Sequence, residues 1–539
     1  MTKQFSPEDV EACLRVLEAV SERRSHLLDI PEATRERLLQ LAGLVNHPDR
    51  LELRQMSRAR RRKDKSDRRA HDAEIIAATA MRQVRQLPVY VALPAAPGAE
   101  VPELRALPAA SIDAPVEQHE HDAPAPGAEV PDLKDPRSCY VCKVDYRKIH
   151  FFYDQMCPAC AELNYAKRTQ SARLDGRVAV ITGGRLKIGY QAALMMLRAG
   201  ATVVVTTRFA HDSALRFARE PDYAEFAPRL RLHGLDLRHS PSVELFAHYL
   251  HDTLPRLDIL VHNAAQTVRR PVGFYSHLIE SEEAPLTDLP REVRPILAAH
   301  DELQQMLRSG SAALSAAGLA GGAANALMTW QGRQAGAGLL SPARLSQAPV
   351  TPEDVEAGEE VFPMGRVDQD LQQVDLRRMN SWRMTLADVG TPELLEVHLV
   401  NAIAPFILTR SLKPLMMRER TNEKHVVNVS AMEASFSRKK KTDKHPHTNM
   451  AKAALNMLTR TSAADYAEDG IWMNSVDTGW VTDEDPLHHV HRKQKEHDFF
   501  PPLDVVDGAA RVCDPFFAGL LSGIHEWGKF FKDYKHTGW

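Results

Sequence analysis

From Arg177 onward, six short runs of apolar, largely β-branched residues alternate with stretches of helical periodicity: VAVIT (178–182), ATVVVTT (201–207), LRLHGLDL (230–237), DILVHNA (258–264), HVVNVS (425–430) and IWMNSV (471–476). A strand that is apolar at consecutive positions has to be covered on both faces, and strands joined through helices run parallel. The alternation predicts a doubly wound α/β domain.

The first run passes through Thr182-Gly-Gly-Arg-Leu-Lys-Ile-Gly189 into an apolar helix, Tyr190 to Gly200. A glycine-rich turn at that place lets backbone N–H groups and a helix N-terminus face a pyrophosphate. Further motifs follow in chain order. They are Asp236-Leu237 after the third run, His262-Asn263-Ala264-Ala265 after the fourth and Val400-Asn401-Ala402 on a helix. Ser430 then ends the fifth run, Lys452 lies on the next helix, and Thr478-Gly479-Trp480-Val481-Thr482 follows the sixth.

This ordered set resembles the short-chain dehydrogenase/reductase superfamily over about residues 175–535, a large insertion apart. The resemblance implies a Rossmann-type fold that binds a nicotinamide dinucleotide through Thr182, Gly183, Arg185, Lys187, Ile188 and Gly189, with Gly479 and Thr482 also on the cofactor. It implies Asp236 and Leu237 beside the adenine and Asn263 supporting the fourth strand. Ser430 would polarise a substrate carbonyl, Lys452 would hold the nicotinamide ribose and Asn401 would anchor a proton-relay water. The second run ends Thr206-Thr207-Arg208, with no acid to accept from a ribose 2′-hydroxyl. Arg208, with Arg185, suits a 2′-phosphate, so NADP(H) is expected before NAD(H).

Four positions depart from the family pattern: Lys187 replaces a glycine, Ala265 a glycine, Thr478 a proline, and Ala431 stands where the catalytic serine usually lies, one place after Ser430. Lysine at 187 is strained if its φ is positive, although its ammonium could meet a phosphate. The largest departure is at 448. In the resembled family a tyrosine precedes the lysine by four residues, one helical turn, so that the ammonium lowers the phenol pKa and the phenol exchanges a proton with substrate. Here that residue is Thr448, a poor proton donor near neutral pH. One reading is an NADP-dependent oxidoreductase on a carbonyl or alcohol substrate that draws its proton elsewhere, from His447 or Tyr275. The other is an NADP(H)-binding sensor without turnover, whose cysteine module and N-terminal helices bind a protein partner. Asn401, Lys452 and Ser430 favour the enzyme; Thr448, Ala431 and Lys187 favour the binder.

Asn263 and Asn401 stand 138 positions apart, about a hundred more than the fold needs. This insertion, at about 270–388, leaves the C-terminal end of a parallel strand, where ligands bind in open α/β sheets. Its ordered ends are expected to form either a lid carrying Tyr275 or an outward-facing loop with no catalytic part, around a low-complexity middle from Ser309 to Gly332.

Six cysteines in 539 residues are too few for a disulfide scaffold, and four of them form Cys139-Tyr-Val-Cys142 and Cys157-Pro-Ala-Cys160. The spacing predicts a tetrahedral structural Zn2+ site in a module of residues 138–172, two redox pairs being the competing reading. Four sulfur ligands leave no open position, so the role is structural or adhesive. Residues 1–87 read as a helical region, starting at the Ser6-Pro7-Glu8 helix signal, and residues 88–137, with ten prolines and a duplicated Ala-Pro-Gly-Ala-Glu-Val-Pro motif, as a linker. Residues 173–539 form the dinucleotide-binding domain. Residues 57–69 hold eight Lys/Arg against two Asp, but a net charge of -3 overall gives no global field for nucleic acid, and a solvated helix face is expected. The opening MTKQFSPEDVEAC lacks the apolar core of a secretion signal, and a soluble cytoplasmic protein without a membrane span is expected. The resemblance adds self-association through the helices carrying Asn401 and Lys452.

Overall fold

The computed structural model describes residues 5–47, 50–85, 131–309, 336–350, 354, 358–438 and 441–539. They divide into two units, Met1–Glu74 and Ile75–Trp539. The first is helical, with helices over Pro7–Glu22 and Glu32–Asn46 and the greater part of a third, Arg50–Ala77. The first helix starts where the sequence signals it: Ser6 Oγ accepts from Asp9 N at 3.1 Å and the Asp9 carboxylate accepts from Ser6 N at 3.0 Å, a closed capping box. Val10, Leu14 and Leu17 leave an apolar stripe of this helix exposed, and the basic run 57–69 is exposed throughout.

The second unit starts earlier than the sequence reading places it. Ile75, Ile76, Ala80 and Met81 are buried in one cluster with Leu133, Tyr146, Phe152 and Tyr153 of the cysteine module. The end of the N-terminal helical region and Leu133 of the proline-rich segment thus pack with the module, because their apolar side chains share its buried cluster. Most of that segment, 86–130, lies outside the described residues.

A hairpin of β1 (Arg137–Ser138) and β2 (Asp145–Tyr146) carries the first cysteine pair. The main sheet comprises β3 (Val178–Thr182), β4 (Thr202–Thr207), β5 (Leu230–Gly234), β6 (Ile259–His262), β7 (Lys424–Ser430), β8 (Ile471–Asp477), β9 (Phe530–Lys532) and β10 (Lys535–His536). Its order is β10-β9-β8-β7-β6-β3-β4-β5, and all pairs are parallel except β9 with β10. Every residue of β3, β6 and β7 is buried. Alternate residues feed two cores: Ile181, Val205 and Val261 pack with Met196 and Phe516 on one face, and Val180, Val204 and Leu260 with Phe246 and Leu408 on the other. From β5 through β8 the order is that of a doubly wound dinucleotide fold, with the strand order reversing between β3 and β6 and a crevice opening above their C-terminal ends.

The insertion is built onto this sheet. Its helix Arg294–Ser309 buries Ile296 and Leu297 in the first core. Arg269 binds Asp354 through two bonds of 2.6 and 2.7 Å and Glu396 at 3.0 Å, and Arg238 joins Glu396 to Asp236. These buried charges tie both ends of the insertion to the end of β5. The low-complexity stretch from 310 to 335 lies outside the described residues. Among those described, no helix is long and apolar enough to cross a membrane.

Candidate active site

A cavity of about 960 Å3 lies above the switch point. Its floor is the turn after β3. Gly183 has φ +70°, and a Cβ there would come within 2.8 Å of the Ala264 backbone; one on Gly189 would meet Asn263 Nδ2 at 2.2 Å. Asn263 explains the closeness, since its amide donates to the carbonyls of Gly183 at 2.9 Å and Thr182 at 3.1 Å. Thr182 works below the cavity, its hydroxyl accepting from Ala264 N. Gly183, Arg185, Lys187, Ile188, Gly189, Arg208, Asp236, Leu237, Asn263, Lys452, Gly479 and Thr482 all line the cavity.

Lys187 does adopt a positive φ, +53°, at a cost of about 1–2 kcal/mol. Its ammonium faces Asp370 at 3.7 Å and Glu484 at 3.9 Å. Burial opposes its charge, but Glu484, Asp370 and Asp368 outweigh that and hold its pKa above the usual lysine value. It is therefore matched by acids of the insertion and of the β8 turn, where the sequence left it free for a phosphate. The Asp236 carboxylate is likewise taken up by Arg238, at 2.7 Å.

At the end of β4, the Arg208 guanidinium donates to the Tyr275 hydroxyl at 3.1 Å and stacks 4.9 Å over the Tyr275 ring. Burial would push the phenol up, but Arg208, Arg185 and Arg270 bring its pKa below the ordinary value. Tyr275 thus sits at the β4 side, three strands from Ser430 at the end of β7, about 14 Å at the usual strand spacing.

Ser430, Thr448 and Lys452 line the same cavity on the β7 side. Lys452 donates to Val429 O at 2.6 Å, and burial alone lowers its pKa to about 8. The Thr448 hydroxyl is buried and meets no hydrogen-bond partner among the described residues. Ser430 Oγ reaches Lys452 O only at 3.5 Å. Besides Thr182, two sequence candidates stand outside the cavity lining. Asn401, in a π-helical turn over Leu399–Ile403, accepts from Gln266 N at 2.7 Å and so fixes the loop after β6. His447 is buried with Nε2 3.4 Å from Glu393 and faces the helix Thr391–His398. One helical turn places Thr448 and Lys452 on the same face; His447, one residue away, points about 100° aside.

Sequence reasoning missed several wall residues. His445 lies flat on Trp382 of the insertion, ring centroids 3.9 Å apart, and both line the cavity with Arg383. Tyr140 and Lys143 of the cysteine module line it too. No local pattern distinguishes these residues; only the docking of distant segments brings them in. The four module cysteines have their sulfurs within 4.8 Å of one another, with Cys142 and Cys157 3.6 Å apart.

Comparison with known proteins agrees with this layout. Residues 177–280 match the family model described as short chain dehydrogenase, and residues 344–498 the one described as enoyl-(acyl carrier protein) reductase. An uncharacterised protein of Acanthamoeba polyphaga mimivirus is 30% identical over 413 residues, covering 74% of each chain. A short-chain dehydrogenase/reductase of Pyricularia grisea is 34% identical over 145 residues, 26% of this chain and 55% of its own. The human dehydrogenase/reductase SDR family member 13 is 38% identical over 94 residues, 17% of this chain and 24% of its own. The chain thus spans about half and a quarter of these two named relatives. Among solved structures, the Pseudomonas aeruginosa RhlG/NADP complex aligns over 67% of this chain and 95% of its own at 17% identity, with a TM-score of 0.38. Because the two family models fall in chain order on segments that flank the middle of the insertion and carry the glycine turn, Ser430 and Lys452, the chain belongs to the short-chain dehydrogenase/reductase family as a divergent member.

Proposed function

We propose that the chain is an NADP(H)-dependent oxidoreductase that interconverts a carbonyl and an alcohol in the cavity above β3, β6 and β7. The observation that carries this reading is one cavity that brings Ser430, Thr448 and the buried Lys452, which donates to Val429 O at 2.6 Å, together with a glycine turn held open by Asn263. A bound nicotinamide would supply the hydride chemistry. Gly183 and Gly189 let the backbone approach the pyrophosphate, and Arg208, held flat against Tyr275, offers its guanidinium edge to a 2′-phosphate. Ser430 donates a hydrogen bond to the carbonyl oxygen. In this reading the proton comes from Lys452, whose amine is buried one helical turn from Thr448; His447 lies outside the cavity lining and Tyr275 three strands from Ser430.

The four cysteines are the ligands of a structural Zn2+. Zn–S bonds of about 2.3 Å in a tetrahedron put the sulfurs about 3.8 Å apart, a spacing this cluster fits. Leu395, Ile403 and Phe406 remain exposed on the helices around Asn401, and Met450 and Met457 on the helix bearing Lys452; these faces pair two copies of the chain.

Calorimetry with NADPH and NADH, then a panel of aldehydes and ketones followed by NADPH absorbance, tests the reading. Tighter binding of NADPH with turnover of at least one carbonyl is expected, and failure to bind either nucleotide overturns it. Thr448 favours the alternative, a sensor that binds NADPH and turns over nothing on the panel.

A further inference from the structure

The cysteine module is usually the part of such a chain to set aside as scaffold, yet it enters the cavity wall. Tyr140, between Cys139 and Cys142, accepts a hydrogen bond on its hydroxyl from Trp480 N at 3.0 Å. Trp480 belongs to the turn after β8, and its carbonyl accepts from Leu503 N, so this peptide is held from both sides. The turn has no slack: Gly479 has φ +77°, and a Cβ there would lie 2.5 Å from Leu503 and 3.1 Å from the Tyr140 hydroxyl. Thr478, Gly479, Trp480, Val481 and Thr482 all line the cavity, in register with Ser430 through the pairing of β7 with β8.

The module cannot drift independently of the turn. Arg168 reaches Asp504 at 2.6 Å and Asp507 at 3.0 Å with all three side chains buried, Tyr153 donates to Asp507, and Arg511 donates to Asn164 at 2.6 Å. Val481, Leu503 and Val505 share one apolar cluster with Tyr146, Phe152 and Tyr153, and Ile188 of the glycine turn packs against it. Arg168 also stacks over Phe152, 4.6 Å from the ring. The position of Tyr140 is then set by the short segment between two metal ligands, since its own N–H is bonded to Gln155 O and Cys139 N to Val144 O.

We propose that Tyr140 is a positioning residue for nucleotide binding: the metal-loaded cysteine module, through the Tyr140 hydroxyl, holds the Gly479–Thr482 turn in the shape that receives the nicotinamide end of the cofactor. The proposal rests on the NADP(H) reading above and assigns a task to the module that its zinc alone does not. Loss of metal frees the Cys139–Cys142 segment, withdraws the acceptor from Trp480 N and weakens nucleotide binding at one end only. The adenosine end, at Arg208 and the glycine turn, keeps its contacts.

The test compares full-length protein with Tyr140→Phe, which keeps the ring and all four cysteines. Binding of NADPH and of 2′-phospho-ADP-ribose, which lacks the nicotinamide, is measured by calorimetry, with zinc content by elemental analysis. The expected result is unchanged zinc, NADPH binding weaker by about tenfold, as for one lost hydrogen bond, and less than about a twofold change for the fragment. Stripping zinc with a chelator reproduces the selective loss, and added Zn2+ restores it. Amide exchange at Trp480, read without any nucleotide, accelerates in Tyr140→Phe. Equal losses for both ligands, an unchanged NADPH affinity, or unchanged Trp480 exchange overturns the proposal. Wild-type protein that binds neither NADPH nor NADH while Trp480 exchange still responds to Tyr140→Phe rejects the nucleotide reading and leaves the mechanical link measured on its own.

Discussion

Thr448 stands one helical turn before the buried Lys452, and its own buried hydroxyl meets no hydrogen-bond partner among the described residues. Thr448→Tyr should raise carbonyl turnover at least tenfold, because it puts a phenol one turn from a buried ammonium; no gain in NADPH consumption with an accepted substrate contradicts this. Lys452→Met should lower kcat by about 10²–10⁴. Arg208→Ala should weaken NADPH much more than NADH, and equal losses in calorimetry mean that the arginine does not read the 2′-phosphate. His447 was a proton candidate from sequence because it adjoins Thr448, but adjacent residues on a helix face different ways, and its partner is the buried Glu393. That carboxyl is penalised by burial and kept below its ordinary pKa chiefly by His447 and Ser381. His447→Leu should therefore cost about 3–5 kcal/mol in urea unfolding while leaving NADPH affinity of the folded protein intact.

Among elements, β3 to β8 were legible to within three residues because each lies in a short, largely apolar run between helical stretches, the pattern of a covered strand. β9 and β10 were not, since three and two residues carry no period. The insertion was legible only as excess length. What orders its ends is the charge network of Arg269 with Asp354 and Glu396, whose members lie far apart in sequence. Arg269→Ala removes the bidentate pair with Asp354 and one of the two guanidinium partners of Glu396, and should lower stability by about 3–5 kcal/mol in urea titration. A loss under 1 kcal/mol shows that the insertion is held by its apolar contacts instead.

At the scale of the molecule, three histidines from separate strands and helices share one property. Burial lowers His262, His300 and His425 from their ordinary 6.5 to about 3. The unfolded chain binds their protons at a pH where the folded one does not, so stability is complete above about 6.5 and falls as pH drops from there toward 3. From pH 7.5 to 5.5 each contributes about 1.4 kcal/mol, together about 4 kcal/mol, readable as a lower urea midpoint at pH 5.5. A midpoint that does not move between these values excludes the effect.

The apolar runs, the glycine turn, the two cysteine pairs and the order of Asn263, Asn401, Ser430 and Lys452 are local patterns, and local patterns suffice to specify a doubly wound sheet and the strand ends above which its crevice lies. The sequence by itself also determined that a threonine stands where a phenol is expected. It could not determine which side chains close the crevice. Tyr140 reaches Trp480 across 340 positions, and Arg269 meets Glu396 across 127. Such pairs leave no periodicity in the chain, because they are made by packing of separately folded segments, and only the tertiary structure decides them.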